Sequence, residues 1–309
     1  MTIIGFFSFI TSLLIMYFSQ RYFVSSNLFD TVLTRSSHNV QATRNGGLSI
    51  CLTLLILTIY FYLTANEVFN FSLIIPLGIL FTIGFYDDLY QVDFKLKFIF
   101  QIIAAKIFID NGFIIENLHG VFGVYELGRI VAQALTIFII VAIINAINFI
   151  DGIDGLALSV CVIFLVSFSF FASSTTPFDL LSKILVFSLL PLYYFNFKPR
   201  NKIFLGDSGS LFLGGVISVS VIYILSNDYI IKPQYDIHKI LFVLSILIYP
   251  IVDIIRVFFI RILNGRSPFE ADNNHIHHFL LKKSNSHIKT SSILVCFSII
   301  FLIFIQVIF

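Results

Sequence analysis

Long apolar runs alternate with short polar segments along the whole chain. The runs fall at roughly residues 3–20, 47–64, 70–85, 97–112, 129–147, 156–173, 180–195, 211–226, 240–261 and 290–309. Segments that cross a bilayer must be helices of ~20 residues, because open strands leave their backbone groups unpaired in lipid. Several runs are shorter than this, so the helices must include polar residues at their ends. The pattern predicts an all-α, polytopic integral membrane protein with about ten transmembrane helices, forming a single domain over residues 1–309.

The composition agrees with a membrane protein. Hydrophobic residues make up 58% of the 309, charged residues only 12%, and the mean hydropathy is +0.97; soluble proteins are about a quarter charged. A net charge of +2 without any basic run argues against a nucleic-acid partner. The first apolar run lacks a basic leader and a small-residue cleavage site, so we interpret it as a retained span rather than a signal peptide.

Lysine and arginine are concentrated in every second connection between the predicted spans. The connections after the first, third, fifth, seventh and ninth runs hold most of them. The positive-inside rule therefore predicts that these connections are cytoplasmic and that both termini lie outside. Every polar cluster described below falls in the cytoplasmic set. Among the outer connections, residues 116–128, with three glycines, predict a small hairpin.

The segment NAINFIDGIDGLA, residues 145–157, is the most informative polar stretch. Amide and carboxylate side chains recur at every third position between two apolar runs, at Asn145, Asn148, Asp151 and Asp154. Gly152 and Gly155 let a ligand approach the backbone closely. Because such side chains are costly to bury without partners, the pattern favours a site for a polar ligand, a metal ion, or both.

Further carboxylates lie at the ends of two other predicted spans. Asp87 and Asp88 are adjacent, and such a pair repels unless a cation or basic neighbours compensate. Asp207 lies among glycines and serines just before the eighth run, which suits a hard cation and phosphate oxygens, although a plain helix N-cap explains it as well. Lys97 is placed to reach the headgroups or to hold a lipid phosphate.

The remaining clusters are basic or contain histidine. Arg44 and paired glycines open the second run; this suits an anion at a helix N-terminus, but topogenic charges and a helix cap explain it equally. Asp253 and Arg256 in the ninth run are explained by an i,i+3 ion pair. The stretch His-Ile-His-His at residues 275–278 could bind zinc, but no cysteine or glutamate completes a familiar site, so we favour contact with phosphate or sugar.

These clusters, in this order, closely resemble those of the polyprenyl-phosphate N-acetylhexosamine-1-phosphate transferases, a branch of glycosyltransferase family 4. The resemblance runs from about residue 30 to residue 278 and rests on Asp-Asp, N-x-x-N-F-x-D-G-x-D-G-L-A, F-L-G-D-S-G-S and H-I-H-H. The stretch from Arg35 to His38 is most similar to the branch that initiates O-antigen. One departure is Thr-Arg-Asn-Gly-Gly at residues 43–47, where that branch usually has Pro-Arg-Gly-Gly-Gly.

The resemblance implies transfer of GlcNAc-1-phosphate, or a related N-acetylated aminosugar 1-phosphate, from a UDP-sugar to undecaprenyl phosphate with release of UMP. The reaction would take place at the cytoplasmic face of a bacterial inner membrane, as the first membrane step of O-antigen-type polysaccharide synthesis. The implied partners are undecaprenyl phosphate, a UDP-N-acetylhexosamine and membrane lipid, without nucleic acid; a homodimer is left open.

The resemblance also implies roles for individual residues. Asp207 and Asn148 would hold Mg²⁺, with Mn²⁺ as an alternative ion. The catalytic positions would be Asp87 and Asp88 beside the lipid phosphate and Asp151 and Asp154 on the nucleotide side. Substrate would be bound by Asn148, Asn196, Arg266, His275, His277, His278 and Lys97.

Two other functions fit parts of the pattern. Phospho-MurNAc-pentapeptide transferase uses the same chemistry, but the modest length and the His-Ile-His-His pattern disfavour it. An ion-coupled secondary transporter would also place carboxylates within the membrane. Transporters, however, place them near mid-span and show internal repeats, whereas here they cluster toward one face and no repeat is evident.

Overall fold

The computed structural model describes residues 2–30, 42–64, 68, 71–172, 175–226, 239–267 and 274–308. Within these residues the chain is almost entirely helical. The helices are α1 (Thr2–Ser25), α2 (Gly46–Leu63), α3 (Ile74–Tyr90), α4 (Phe94–Asp110), α5 (Arg129–Phe149), α6 (Leu156–Phe171), α7 (Asp179–Asn196), α8 (Gly206–Leu225), α9 (Lys239–Ile246), α10 (Ile248–Leu263), α11 (Ile276–Ser284) and α12 (His287–Ile308).

Each predicted apolar run falls on a helix, and the ninth is divided between α9 and α10, which meet at a 77° bend. Pro250 explains this break, because its ring clashes with the carbonyl of the residue four positions earlier, Ile246, where α9 ends. Among the described residues, six helices are long and apolar enough to cross a membrane, or seven if the bent pair is one span. The all-α, multi-pass class is confirmed, while the number of about ten spans stays a prediction.

Helix α8 is the centre of the bundle. Its apolar stretch is 89% buried inside the protein, compared with 28% for α1 and 33% for α12. It packs against α2, α3, α5, α6 and α9. Small residues allow this crowding: a Cβ on Gly214 would lie 2.8 Å from the Cα of Ile144 on α5. The first turn of α8 is therefore held by several helices at once.

A two-stranded parallel sheet connects the segments that precede α2 and α8. Strand β1 (Ala42–Thr43) pairs with β2 (Lys202–Ile203), with Ala42 opposite Lys202. Beyond the strands, the N–H of Gly46 donates to the carbonyl of Phe204. The sheet holds the two segments side by side at one end of the bundle.

The predicted hairpin at residues 116–128 is confirmed. Asn117 and Glu126 form an antiparallel bridge. The N–H of Leu118 donates to the carbonyl of Tyr125, and that of Leu127 to the carbonyl of Glu116.

Candidate active site

Asp88, in the last turn of α3, caps the first turn of α8. One carboxylate oxygen accepts the N–H of Asp207 and the other accepts the N–H of Ser208, both at 2.9 Å. These are N–H groups that a helix start leaves without intrahelical partners. Gly206 has φ +75°, and a Cβ there would lie 2.7 Å from Asp88 Oδ2, so only glycine fits. Asp207 is therefore not the N-cap of α8; Asp88 satisfies those N–H groups, so the Asp207 carboxylate is not needed to cap the helix.

Lys97, at the start of α4, joins two of the predicted carboxylates. Its Nζ lies 2.8 Å from Asp207 Oδ2 and 3.1 Å from Asp87 Oδ2. Asp87 is buried, and its other oxygen accepts the N–H of Val92. An ammonium between two carboxylates offsets their mutual repulsion. Lys97 therefore points into the site rather than toward the headgroups.

Arg44 is a second basic residue at the acidic cluster. Its guanidinium is 2.7 Å from Asp30 and 3.8 Å from Asp88 Oδ1. Burial by itself would lower the pKa of Arg44, but the carboxylates of Asp30, Asp88, Asp207 and Asp87 outweigh it and raise the pKa above its usual value. Arg44 is thus a permanent cation at the acidic cluster. Arg35 and His38, named with it from the sequence, lie outside the described residues.

The paired glycines after Arg44 serve packing, not anion binding. The N–H groups of Gly46 and Gly47 donate to the carbonyls of Phe204 and Leu205, so they are not free to bind an anion. A Cβ on Gly47 would lie 2.1 Å from the backbone nitrogen of Gly209, on α8. The glycines therefore let α2 approach the start of α8 closely.

The two residues that depart from the resembled motif contact each other. The hydroxyl of Thr43 donates to Asn45 Oδ1 at 2.6 Å, and Asn45 Nδ2 donates to the Ser19 hydroxyl at 2.8 Å. Both residues are buried. Polar side chains thus brace the segment that carries Arg44 against α1.

The ladder of residues 145–154 is divided among different partners. Asn145 Nδ2 donates to Gln101 Oε1 at 2.6 Å, so this residue joins α5 to α4. Asn148 Nδ2 donates to the Ser210 hydroxyl at 2.9 Å, which joins α5 to α8. Asn145 therefore belongs to helix packing, and only the later part of the ladder reaches the acidic cluster.

Asp151 lies in the turn between α5 and α6. Burial, followed by the nearby Asp207 and Asp88 carboxylates, raises the pKa of Asp151 well above its usual range. The structure thus brings Asp151 together with the Asp88 and Asp207 pair. A raised pKa favours a protonated carboxyl, which donates a hydrogen bond.

Asp154 lies further along the same turn and has its own basic partners. Its buried carboxylate forms an ion pair with Lys202 of β2, and His287 Nδ1 lies 3.6 Å away. Its carbonyl accepts a hydrogen bond from the Ser291 hydroxyl at 2.7 Å. These contacts fix the turn between β2 and the start of α12.

Asn196, the last residue of α7, connects two segments of the site. Its Oδ1 accepts the N–H of Gly155 at 2.8 Å, and its Nδ2 donates to the carbonyl of Ile203 at 3.0 Å. The side chain is 4% exposed. The structure therefore shows Asn196 tying the turn of residues 151–155 to β2, and its predicted contact with substrate stays a prediction.

The histidines at residues 275–278 lie beside the same turn. A Cβ on Gly152 would be 3.4 Å from His277 Nε2 and 3.9 Å from His278 Cε1. His277 is completely buried. Burial, and then the neighbouring imidazoles of His278 and His275, lower the pKa of His277 to about 3. His277 is therefore neutral at physiological pH.

Asp253 and Arg256 of α10 hold this histidine segment rather than forming the i,i+3 ion pair that the sequence suggested. Asp253 Oδ2 lies 2.8 Å from His275 Nδ1, and Oδ1 accepts the N–H of Ile276 at 2.7 Å. Arg256 donates to the carbonyl of Asn274 at 2.6 Å. Arg266, by contrast, is exposed beyond the end of α10, and no side-chain partner is recorded for it within the described part of the chain.

Comparison with known proteins agrees with this arrangement. Residues 70–225 match the profile of glycosyl transferase family 4. The chain is 33% identical over 286 residues, 91% of its length and 77% of the relative, to a Bacillus subtilis protein named "Probable undecaprenyl-phosphate N-acetylglucosaminyl 1-phosphate transferase". The chain belongs to glycosyl transferase family 4.

Other members of the family are similar over much of the chain. An undecaprenyl-phosphate alpha-N-acetylglucosaminyl 1-phosphate transferase of Yersinia pestis is 26% identical over 89% of this chain and 75% of its own length. A decaprenyl-phosphate N-acetylglucosaminephosphotransferase of Mycolicibacterium smegmatis is 29% identical over 70% of this chain, which spans 57% of that relative. Membership of this family leaves the transporter interpretation without support.

The acidic cluster of this family member fits a hard divalent cation. Asp87 Oδ2 and Asp207 Oδ2 already converge on one positive charge, the Lys97 ammonium. Asn148 uses its NH₂ group toward Ser210, which leaves its carbonyl oxygen for another partner. Carboxylate and carbonyl oxygens are the ligands that Mg²⁺ takes in proteins.

Several residues that shape the site were not identified from the sequence. Lys202 lies in one of the predicted cytoplasmic connections, where its charge alone indicates topology, whereas in the structure it pairs with Asp154. No sequence pattern distinguishes His287, Ser291 or Tyr249, because each is a single polar residue next to or inside an apolar run. No spacing rule distinguishes such residues from helix caps or packing residues, so only the three-dimensional arrangement reveals them.

Proposed function

We propose that this protein transfers GlcNAc-1-phosphate from UDP-GlcNAc to undecaprenyl phosphate, giving undecaprenyl-diphospho-GlcNAc and UMP. The observation that carries the proposal is the convergence of Asp87, Asp88 and Asp207 with Lys97 and Arg44 at one end of a membrane helix bundle. Relatives whose names give this transfer support it.

The chemistry joins two anions, so the site must neutralise charge and align the reactants. A phosphate oxygen of the lipid attacks the phosphorus that carries the sugar; the bond from that phosphorus to the bridging oxygen breaks, and UMP leaves with the electron pair. Such transfers depend on positioning and electrostatic stabilisation more than on covalent catalysis. Lys97, beside Asp87 and Asp207, and Arg44, beside Asp88, supply fixed positive charge.

The acceptor needs no general base in this scheme. The second pKa of a phosphate monoester is about 6, so the lipid phosphate is mostly dianionic at neutral pH. Asp88 uses both oxygens to hold the start of α8, which supports a positioning role for it. Asp88→Asn should therefore keep a pH profile that rises as the lipid phosphate ionises; rescue only by strong added nucleophiles would argue for a base.

Mg²⁺, held by Asp207 and the Asn148 carbonyl oxygen, would neutralise diphosphate charge and orient it for in-line attack. Asp151 and Asp154 would line the nucleotide side. The histidines and Arg266 would meet the diphosphate or sugar, and Lys97 the lipid phosphate.

The location follows from the substrates. One is a lipid and the other a soluble nucleotide, so the site must lie where the bilayer meets the cytoplasm. The positive-inside pattern supports placing this end of the bundle at the cytoplasmic face of a bacterial plasma membrane. Both chain termini would then lie on the outer side of that membrane. We further propose that the product starts a surface polysaccharide of the O-antigen type.

The test uses purified protein, undecaprenyl phosphate, MgCl₂ and a panel of donors: UDP-GlcNAc, other UDP-N-acetylhexosamines and UDP-MurNAc-pentapeptide. We expect lipid-dependent UMP release with UDP-GlcNAc, lost with EDTA and in Asp207→Ala. Lys183→Ala, near the opposite end of α7 from Asn196, is the control. Preference for UDP-MurNAc-pentapeptide would assign the peptidoglycan reaction, and no UMP from any donor with folded protein would refute the transferase.

A further inference from the structure

Tyr249 and Asp253 form a buried platform under the histidines. Both lie on α10, at 3% and 1% exposure. The Tyr249 hydroxyl is 2.9 Å from His277 Nδ1, and Asp253 Oδ2 is 2.8 Å from His275 Nδ1. The two imidazoles stack nearly in parallel, with ring centroids 5.3 Å apart. Tyr249 therefore contacts His277, while Asp253, one turn further along the helix, contacts His275 and also has Oδ2 3.9 Å from His277 Nδ1.

The direction of the hydrogen bond to His277 follows from what Tyr249 can do. The hydroxyl has no second acceptor recorded among the described residues, so it would bury its own proton unpaired if it accepted from Nδ1. Donation from the Tyr249 hydroxyl to Nδ1 pairs that proton, and it leaves the proton of His277 on Nε2, where a ligand can accept it. A neutral imidazole that accepts at Nδ1 carries its proton on Nε2.

His277 Nε2 is then a hydrogen-bond donor, and it is buried without a partner in the protein. An unsatisfied buried donor requires an explanation, and a ligand is one. Nε2 faces Gly152, where a Cβ would lie 3.4 Å away; Gly152 is itself exposed and adjoins Asp151. The donor thus points at the turn that carries the predicted catalytic carboxyls.

A metal ion does not explain the cluster better. Asp253, His275 and His277 offer ligand atoms within 4.8 Å of one another. However, the facing atoms are already used: Asp253 pairs with His275 and the Ile276 N–H, and His277 Nδ1 with Tyr249. Among the described residues, the facing atoms of this cluster are thus hydrogen-bonded to one another, and His277 Nε2 is buried without a partner.

We infer that Tyr249 and Asp253 are positioning residues, which set the tautomers of His277 and His275 so that His277 Nε2–H donates to a phosphate oxygen of the nucleotide-sugar donor beside Gly152. This rests on the proposed function. Asp253 accepts a hydrogen bond from Nδ1–H of His275, so Nε2 of His275 is an acceptor. Neither Tyr249 nor Asp253 touches substrate.

The kinetic test is a double-mutant cycle between Tyr249 and His277. Tyr249→Phe should raise KM for UDP-GlcNAc about tenfold with little change in kcat, because it loosens ground-state binding of the donor. Tyr249→Phe/His277→Ala should be no worse than His277→Ala, since Tyr249 acts only through that ring. Additive losses would overturn the inference.

Two further variants test the geometry. Gly152→Ala places a methyl group in front of His277 Nε2 and should raise KM for UDP-GlcNAc. Adding Tyr249→Phe to this variant should not raise that KM further. Asp253→Asn presents an amide N–H to His275 Nδ1 and should lower kcat/KM about 100-fold, with partial rescue by Asp253→Glu. The control is Thr136→Val, which removes a buried hydroxyl hydrogen bond near the hairpin and should leave KM unchanged.

A readout without turnover separates this inference from the proposed function. In ¹⁵N-histidine-labelled protein, the signals lost in His277→Gln identify the His277 ring by NMR. We expect a protonated Nε2 and a bare Nδ1 in wild type, and loss of that preference in Tyr249→Phe. A protonated Nδ1 in wild type would refute the tautomer assignment even if the transferase reaction is confirmed.

Discussion

A single methyl group on Gly84 tests how the site is held together. Gly84 lies on α3, one turn before Asp88, and faces the start of α8. A Cβ there would lie 2.4 Å from the carbonyl oxygen of Asp207 and 2.7 Å from the Cα of Ser208. Both are backbone atoms in a tightly packed helix, so no side-chain rotation relieves the clash.

The size of the effect follows from these distances. Ordinary contact begins at 3.4 Å, so the first turn of α8 must retreat by about 1 Å. Overpacking of this kind costs about 1–3 kcal/mol, offset by up to ~1 kcal/mol from the better helix propensity of alanine. The protein should therefore fold. A displacement of ~1 Å in a catalytic group, however, costs roughly 100-fold in rate.

Gly78→Ala is the matched control, since Gly78 lies on the same helix and a Cβ there meets nothing within 4 Å. We expect Gly84→Ala to lower kcat for UMP release about 100-fold and to lower the thermal midpoint in detergent by a few degrees, while Gly78→Ala keeps both values. Equal activity in the two variants would show that the position of Asp207 does not depend on close packing of α3 against α8.

Three further results are expected. Lys97→Met should abolish at least 99% of activity, because two carboxylates lose their shared cation; Lys95→Met, exposed on the same helix, should not. Lys202→Met should raise KM for the nucleotide donor by freeing Asp154, without changing KM for the lipid, and Lys198→Met in the same connection is its control. Finally, the folded pKa of His277, about 3, lies below its unfolded value of 6.5, so the unfolded chain takes up a proton first as pH falls. Wild type should therefore lose about 2 kcal/mol of stability between pH 7 and pH 5 that His277→Gln does not lose, as compared by thermal midpoints; equal losses in both proteins would contradict a buried, neutral His277.

The polar clusters and the apolar runs could be predicted from the sequence for simple physical reasons. Each run exceeds the length of a soluble strand, and polar residues such as Asp87 and Asp207 stand out against hydrocarbon. The family and the all-α class follow from these signals and are confirmed.

The partners of each side chain could not be predicted, because they depend on contacts between distant segments. Asp88 and the N–H groups that it binds are 119 and 120 residues apart, and Asp154 meets His287 across 133 residues. The paired glycines at the start of α2 illustrate the limit. The same sequence pattern suits anion binding or close packing, and only the contact of Gly47 with Gly209 distinguishes the two.

The central place of α8 has a consequence for biogenesis. This helix begins at residue 206, so seven helices are synthesised before the one around which they pack exists. Until then Asp88 lacks the N–H groups that it caps, and Gly47 and Gly84 lack the helix against which they pack. An interrupted chain is therefore marked by a carboxylate without its backbone partners at the membrane boundary rather than by partial activity, and insertion of α8 is the step at which the acidic cluster is assembled.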